Sequence, residues 1–331
     1  MRAQRLDRAM PIGDSPLRLA ERPDPLPGPG QLLLRVKACG VCHTDLHLAE
    51  GDIKPPRFPV TPGHQVVGVV AGLGEGVHAW ALGERAGVPW LYSACGGCEF
   101  CRRGEENLCE QASFTGFDVD GGYADLLLAN ADYALHIPAG IPDQQAAPLL
   151  CAGIVGYRSL RKADLQPGER IGLVGFGASG HLALQVARHW GCEVYVFTRG
   201  SGHRQLATEL GAAWVGGVDD EPPSLLDRAV IFAPVGSLVP AMLAKLRSGG
   251  TLATNAIHMS PIPELPYRLI DRERTLRSVA NATYQDGVEF LKLAAAIPVR
   301  PRIKLYGLEQ ANQALQDLKA ARIEGAGVLI P

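Results

Sequence analysis

The chain has 331 residues, which is enough for two domains that each bury a core and argues against a chain built only from small zinc modules. Hydrophobic residues make up 47% and charged residues 20%, an ordinary balance for a globular protein. The net charge of -2 offers no basic surface for nucleic acid and no apolar run reaches the length of a membrane span, so we expect a cytoplasmic protein that binds small ligands.

The first half of the chain carries short aliphatic and β-branched runs that glycine and proline interrupt. Gln31–Val36 and Val66–Ala71 are clear examples, and they predict an irregular β domain that extends to about residue 150. Two side chains of the zinc-binding type accompany these runs. They are Cys42 in the segment GVCHTDLH and His64 in the segment PGHQVVG, each close to glycines that permit tight backbone approach.

A cysteine-rich segment follows, with the spacing C-x2-C-x2-C-x7-C. This spacing can surround one tetrahedral metal ion, and four thiolates leave no position for substrate. A loop rich in glycine, arginine and glutamate is not typical of a core, which argues against four unrelated buried cysteines. The segment therefore predicts a structural zinc lobe over about 93–110, with an iron–sulfur site as the alternative, and its ligands are Cys95, Cys98, Cys101 and Cys109.

Cys151 stands just before the pattern of the chain changes, and it is the candidate third ligand of a second zinc. Two thiolates, one imidazole and one open position would make a Lewis-acid zinc held by Cys42, His64 and Cys151. Taken singly, each of these residues could be a buried core side chain. Their occurrence together with the lobe and with a nucleotide loop favours a catalytic metal.

From about residue 153 strands and helices alternate, which predicts a doubly wound parallel sheet. Gly175, Gly177 and Gly180 follow a strand and open a helix, as in a dinucleotide-binding fingerprint, where the helix N-terminus receives the pyrophosphate. The next strand ends at Thr198 and Arg199 without an acidic residue, which favours NADP over NAD. The alternative is a solvated Arg199 on a loop that tolerates either coenzyme.

Over essentially its whole length the chain resembles a zinc-dependent alcohol dehydrogenase of the medium-chain dehydrogenase/reductase superfamily. The motifs that carry the resemblance are G-x-C-H-T-D-x-H, P-G-H, the four-cysteine array after a tryptophan, and G-x-G-x-x-G. The resemblance implies an α/β protein in which a GroES-like irregular β catalytic domain, residues 1–152 completed by 295–331, accompanies a Rossmann domain with a doubly wound parallel sheet over 153–294.

The resemblance also implies roles for single residues. Thr44 and His47 match a proton relay, and Asp45 matches the carboxylate that orients the zinc-bound imidazole. His43 falls where many members place a basic group against the pyrophosphate, and Trp90 falls at a substrate-pocket position. Two Zn²⁺ ions per chain and a homo-oligomer, either a dimer or a tetramer, are further expectations from the resemblance.

Two positions refine these expectations. Many members carry Glu after the zinc-binding histidine, whereas this chain has Gln65, and the loss of a negative charge predicts a more electrophilic zinc. Polyol dehydrogenases of the superfamily often place Glu at the third zinc position. Cys151 at that position instead points to simple alcohols and aldehydes.

The predicted reaction is reversible hydride transfer between a small primary or secondary alcohol and NAD(P), with zinc polarising the substrate oxygen. Two other functions compete with it. A zinc-stabilised binding protein without turnover would need only the four-cysteine lobe and would give Thr44, His47 and Cys151 no reason for their positions. A zinc-free quinone or enoyl reductase is the other alternative, and such relatives generally lack this ligand set.

Overall fold

The computed structural model describes residues 1–297 and 299–331. The strands of the first half are β1 (Arg2–Leu6), β2 (Leu17–Glu21), β3 (Gln31–Val41), β4 (Val66–Leu73), β5 (Arg85–Val88), β6 (Leu91–Ser93), β7 (Ser113–Phe114), β8 (Leu126–Asn130) and β9 (Leu135–His136). The helices of this half are α1 (His43–Glu50), α2 (Glu99–Arg102) and α3 (Asp143–Ala146).

In the second half the helices are α4 (Ala152–Lys162), α5 (Ala178–His189), α6 (Ser201–Glu209), α7 (Leu238–Ala244), α8 (Tyr284–Ala296) and α9 (Ala311–Lys319). The strands are β10 (Arg170–Val174), β11 (Glu193–Phe197), β12 (Trp214–Gly216), β13 (Leu226–Ile231), β14 (Leu246–Thr254), β15 (Thr275–Ser278), β16 (Ile303–Gly307) and β17 (Ala326–Ile330). Within the described residues, none of these helices combines the length and the apolar character that a membrane span requires.

A seven-stranded sheet organises the first half and the C-terminal end of the chain. Its order is β16-β17-β3-β4-β5-β9, and β8 also pairs with β3. The long strand β3 alternates buried and less buried residues before it becomes continuously buried, and its apolar side chains enter a core shared with α1 and α9. The C-terminal strand β17 pairs antiparallel with the end of β3 that leads to Cys42.

A six-stranded sheet with the order β12-β11-β10-β13-β14-β15 occupies the second half, and all of its pairs are parallel. Its central strands are largely buried, and every residue of β13 is buried, as expected when helices cover both faces. The predicted fold class, a GroES-like β domain with a Rossmann-type parallel sheet, is confirmed.

The chain divides into two compact units. The first contains Met1–Ile154, Ala282–Ala296 and Arg302–Pro331, and the second is formed mainly by Val155–Asn281. Helix α8 therefore belongs to the first unit, whereas the Rossmann domain expected from the sequence, 153–294, includes nearly all of this helix. The physical reason is packing, because a Cβ added to Gly153 would come within 2.4 Å of the Phe290 ring carried by α8.

Candidate metal and coenzyme sites

Three zinc-type ligand groups converge within the first unit. Cys42 directly follows β3 and His64 lies just before β4, and the antiparallel pairing of these strands brings the two residues together. Cys151 directly follows a short 3-10 helix, Ala147–Leu150. One ligand atom from each of the three residues lies within 4.8 Å of the other two.

His64 presents one ring nitrogen to this cluster. It is 1% exposed, and its Nδ1 donates a hydrogen bond of 3.1 Å to Oδ1 of Asp45. Its Nε2 is buried and has no hydrogen-bond partner in the part of the chain that the structure describes. A buried ring nitrogen without a partner is costly, and two sulfurs with one imidazole form a donor set that zinc prefers. The residues present therefore fit a zinc ion.

The charges of the cluster also suit a cation. Burial lowers the pKa of His64, but the Asp45 carboxylate and Cys42 outweigh it and raise that pKa to about 10. Burial would raise the pKa of Cys42, but the hydrogen bond with Cys151 holds that pKa well below its ordinary value. For Cys151 the same hydrogen bond and burial both act to raise the pKa. Because ligands must lose their protons to bind a metal, zinc would replace these shared protons.

Asp45 connects the start of α1 to the metal cluster. It is 1% exposed, and its Oδ2 accepts from the backbone N–H of Cys42 at 2.9 Å and from the hydroxyl of Tyr123 at 3.1 Å. Its Oδ1 accepts from the backbone N–H of Gly63 at 3.1 Å in addition to His64. The carboxylate that caps the helix is thus the carboxylate that holds the imidazole ring.

Thr44 and His47 lie three residues apart on α1, a spacing that places both on one face of the helix. Thr44 is buried, and its Oγ1 lies 3.7 Å from Sγ of Cys42. His47 is largely covered, and its Nδ1 lies 2.8 Å from Oδ2 of Asp52. Of the two residues predicted to form a relay, Thr44 therefore lies next to the candidate metal ligand Cys42, and His47 lies next to an exposed carboxylate.

An aromatic cluster adjoins the imidazole of His64. Trp90 packs edge-on against His64 with ring centroids 4.8 Å apart. Phe114 stacks on Trp90 at 5.0 Å, and Phe117 lies 5.9 Å from the same indole. The metal cluster thus has an apolar wall on the side of His64.

The four cysteines of the cysteine-rich segment form a second cluster, in which all four sulfurs lie within 4.8 Å of one another. Sγ of Cys101 lies 3.5 Å from that of Cys98 and 3.9 Å from that of Cys95. A tetrahedron with zinc–sulfur bonds of about 2.3 Å has edges of about 3.8 Å, so the spacing fits zinc. Backbone N–H groups of Gly97 and Cys98 lower the pKa of Cys95 to about 6, which favours the thiolate form.

The second unit carries the glycine-rich loop between β10 and α5. Gly175 has φ +89°, a conformation that L side chains rarely adopt. A Cβ at Gly180 would come within 2.5 Å of the Gly175 carbonyl oxygen, whereas one at Gly177 would meet nothing within 4 Å. The loop therefore turns tightly, packs its helix closely and leaves open space at the helix N-terminus, which fits a pyrophosphate group.

Thr198 and Arg199 follow β11, as the sequence predicts. Thr198 is buried, and its carbonyl oxygen accepts from Nε of Arg204 at 3.0 Å, while Arg199 is exposed. His43, the residue expected to face the pyrophosphate, occupies the first position of α1 and is exposed.

Four further residues at these sites were not singled out from the sequence: Tyr123, Asp52, Phe114 and Phe117. Tyr123 and Phe117 lie in loops, and Phe114 lies in the two-residue strand β7. All three are far along the chain from the residues they contact, so no periodicity identifies them. Asp52 offered a local signal, because it follows Gly51, which ends α1 in the left-handed conformation.

Two family models match the chain. The alcohol dehydrogenase GroES-like domain matches residues 28–139, and the zinc-binding dehydrogenase model matches residues 178–296. A protein of Mycobacterium tuberculosis named "Probable alcohol dehydrogenase AdhA" is 47% identical, over 100% of this chain and 97% of its own length.

Solved structures of alcohol dehydrogenases also superpose on this chain. A cinnamyl alcohol dehydrogenase from Sorghum bicolor superposes with a TM-score of 0.91 and 28% identity, covering 99% of this chain and 97% of that one. The CAD from Helicobacter pylori complexed with NADP(H) superposes with a TM-score of 0.89 and 25% identity, covering 100% of this chain and 99% of that one. This chain belongs to the zinc-type medium-chain alcohol dehydrogenase family.

Proposed function

We propose that this protein is a zinc-dependent alcohol dehydrogenase and aldehyde reductase that transfers hydride reversibly between a small primary or secondary alcohol and a nicotinamide coenzyme. The observation that carries the proposal is the buried Nε2 of His64, which has no hydrogen-bond partner in the described structure and belongs to a cluster with Cys42 and Cys151. Three protein ligands with room for a fourth are typical of a catalytic zinc. When bound, zinc supplies Lewis-acid polarisation of the substrate oxygen and the coenzyme accepts or donates the hydride.

The residues of α1 would move the proton. The Thr44 hydroxyl lies 3.7 Å from a metal ligand and can exchange a proton with the substrate hydroxyl. His47, held by Asp52, would pass that proton to solvent as a general base. The buried position of Thr44 and the partial exposure of His47 give the relay an inner and an outer end.

The aromatic cluster would set the substrate class. Trp90, Phe114 and Phe117 offer ring faces and edges next to His64, and such a wall favours a flat apolar group beside the reacting carbon. We therefore expect small aliphatic, allylic and benzylic alcohols and their aldehydes as substrates.

The coenzyme would bind at the glycine-rich loop, with NADP favoured over NAD. The residues that directly follow β11, Thr198, Arg199 and Gly200, include no acidic side chain, and the exposed guanidinium of Arg199 can pair with a 2'-phosphate. Each chain would hold two zinc ions, one at the three-ligand cluster and one in the four-cysteine lobe.

Metal content and turnover measured together test the proposal. The wild-type chain should contain two zinc ions and reduce small aldehydes with NADPH. Cys151→Ser should retain one zinc ion, in the four-cysteine lobe, and lose hydride transfer. The matched control is Cys192→Ser, because Cys192 is a buried thiol of the second unit that donates to the Gln166 carbonyl and belongs to neither cluster.

Two results would contradict the proposal. A wild-type chain with one zinc ion and full turnover would point to a zinc-free type of reductase. A zinc-replete chain without turnover on any alcohol or aldehyde, with either coenzyme, would point to a binding protein of the same fold.

A further inference from the structure

Tyr123 is a buried hydroxyl donor close to the three-ligand cluster. Its side chain is fully buried, and its hydroxyl lies 3.1 Å from Oδ2 of Asp45. Burial and the neighbouring Asp45 carboxylate raise the pKa of Tyr123 well above its ordinary value of 10. The phenol therefore keeps its proton and donates it to the carboxylate.

This hydrogen bond completes the surroundings of Asp45. Each carboxylate oxygen accepts two hydrogen bonds: Oδ1 from His64 and the Gly63 N–H, Oδ2 from the Cys42 N–H and Tyr123. A carboxylate has about four acceptor positions, so this buried group is saturated. Two of these four donors are backbone N–H groups, and the other two are the side chains of His64 and Tyr123.

The chain around Tyr123 is fixed to the segment that carries His64. Backbone N–H groups of Gly121, Gly122 and Tyr123 donate to carbonyl oxygens of residues 61–63 at 2.7 to 3.0 Å. Gly63 has φ +99°, and a Cβ there would come within 2.4 Å of the Tyr123 ring. The phenol ring therefore lies directly against the residue that precedes His64, and its hydroxyl has little freedom to move.

We propose that Tyr123 is a positioning residue for the catalytic zinc, whose hydroxyl fixes the Asp45 carboxylate and through it the ring of His64 in the orientation that presents Nε2 to the metal. The inference rests on the proposed function, because it requires that Cys42, His64 and Cys151 hold zinc. Without the hydroxyl, Oδ2 of Asp45 would keep one of its two donors, and the carboxylate could rotate away from His64. Loss of such an outer hydrogen bond typically lowers metal affinity about 10- to 100-fold.

The test is zinc affinity measured by competition with a chromophoric chelator on the full chain. Tyr123→Phe retains the ring that packs on Gly63 and removes only the hydroxyl. We expect its affinity at the three-ligand cluster to fall about tenfold, with the affinity of the four-cysteine lobe unchanged as an internal reference. With Co²⁺ in the three-ligand cluster, the visible absorption bands should also shift, because they report ligand geometry.

Tyr306→Phe is the matched control. The Tyr306 hydroxyl is also buried and donates to a carboxylate, Oδ2 of Asp317 at 2.8 Å, but neither residue belongs to a metal cluster. This variant should leave both zinc affinities unchanged. In an Asp45→Asn background, Tyr123→Phe should have little further effect, because Tyr123 acts through Asp45.

Several outcomes would overturn the inference: unchanged affinity in Tyr123→Phe, equal weakening of both zinc sites, or the same loss in Tyr306→Phe. If Tyr123→Phe fails to fold, 4-fluorophenylalanine at position 123 fills the space of the hydroxyl without a donor and should show the same selective loss. A wild-type chain that binds zinc only in the lobe would overturn the proposed function as well. Two tightly bound ions in the wild type with no effect of Tyr123→Phe would overturn this inference alone.

Discussion

Nδ1 of His47 lies 2.8 Å from Oδ2 of Asp52, five residues further along the chain. Gly51 ends α1 with φ 88°, and the N–H groups of Gly51 and Asp52 both donate to the His47 carbonyl oxygen at 2.9 Å. This turn folds the chain back so that Asp52 reaches the imidazole. A carboxylate that accepts from Nδ1 leaves Nε2 as the acceptor nitrogen of the neutral ring, the form that a general base needs.

His47→Gln should lower kcat for alcohol oxidation at neutral pH about tenfold to a hundredfold, because the outer proton acceptor is lost. Rates at high pH, or with added imidazole, should recover in part. Asp52→Asn should act in the same direction but less, since it keeps the imidazole and removes only the carboxylate that orients it. Initial rates across pH measure both effects, and His189→Gln, at an exposed position at the end of α5, is the control. A pH profile of His47→Gln that matches the wild type would exclude the relay.

Gln65→Glu should shift the pH profile of alcohol oxidation to higher pH. Gln65 is buried next to His64, and its side chain lies against Gly40, where an added Cβ would come within 2.9 Å of the amide carbon. A carboxylate at this place adds negative charge next to the candidate zinc ligand His64, and in the proposed reaction it would disfavour loss of the substrate proton. Rates from pH 6 to 10 measure the shift, and Gln65→Met, which adds no charge, should keep the wild-type profile. An unchanged profile in Gln65→Glu would show that the neutral amide does not tune the site.

Trp90→Ala should change the substrate preference by opening the aromatic wall. The indole contacts both His64 and Phe114, so its removal enlarges the space beside the metal cluster. The ratio of kcat/KM for a bulky secondary alcohol to that for a small primary alcohol should rise about tenfold. Trp90→Phe, which retains an aromatic ring, should give a smaller change. Equal loss on all substrates would indicate a purely structural role for Trp90.

Arg199→Gln should weaken catalysis with NADPH more than catalysis with NADH. If the guanidinium binds the 2'-phosphate, kcat/KM with NADPH should fall about tenfold while the value with NADH stays within about twofold. Parallel initial rates of aldehyde reduction at equal coenzyme concentration measure this, with Arg18→Gln, an exposed substitution in β2, as the control. A wild-type preference for NADH, or equal losses with both coenzymes, would contradict the assignment of Arg199.

Cys98→Ser should remove the lobe zinc and destabilise the protein without abolishing turnover. The lobe also contributes Glu106, which accepts from the backbone N–H of Tyr284 at 2.7 Å at the start of α8. Without the metal this contact should loosen, and the thermal midpoint should fall by at least about 5 °C. Differential scanning calorimetry and zinc analysis measure the effect. Loss of one zinc ion with an unchanged midpoint would show that the lobe does not stabilise the fold.

The sequence by itself was sufficient for the features that depend on spacing along the chain. The four cysteines lie within fifteen residues, so their separation restricts them to one small lobe. Gly175, Gly177 and Gly180 occupy a strand-to-helix turn that allows few geometries, and the alternation of strands and helices predicted the parallel sheet. In each case the decisive interactions are local, so residue type and spacing determine them.

Only the tertiary structure decided which distant residues meet. Cys42, His64 and Cys151 are candidate ligands from the sequence, but the approach of Cys42 to His64 depends on the pairing of β3 with β4. The approach of Cys151 depends on where the 3-10 helix Ala147–Leu150 packs. Helix α8 packs in the first unit because Phe290 fits over Gly153, a contact that no periodicity reveals. Tyr123 reaches Asp45 across 78 positions of the chain. Such contacts depend on the shape of the packed core and on where loops return, whereas local patterns report only which face of an element is apolar.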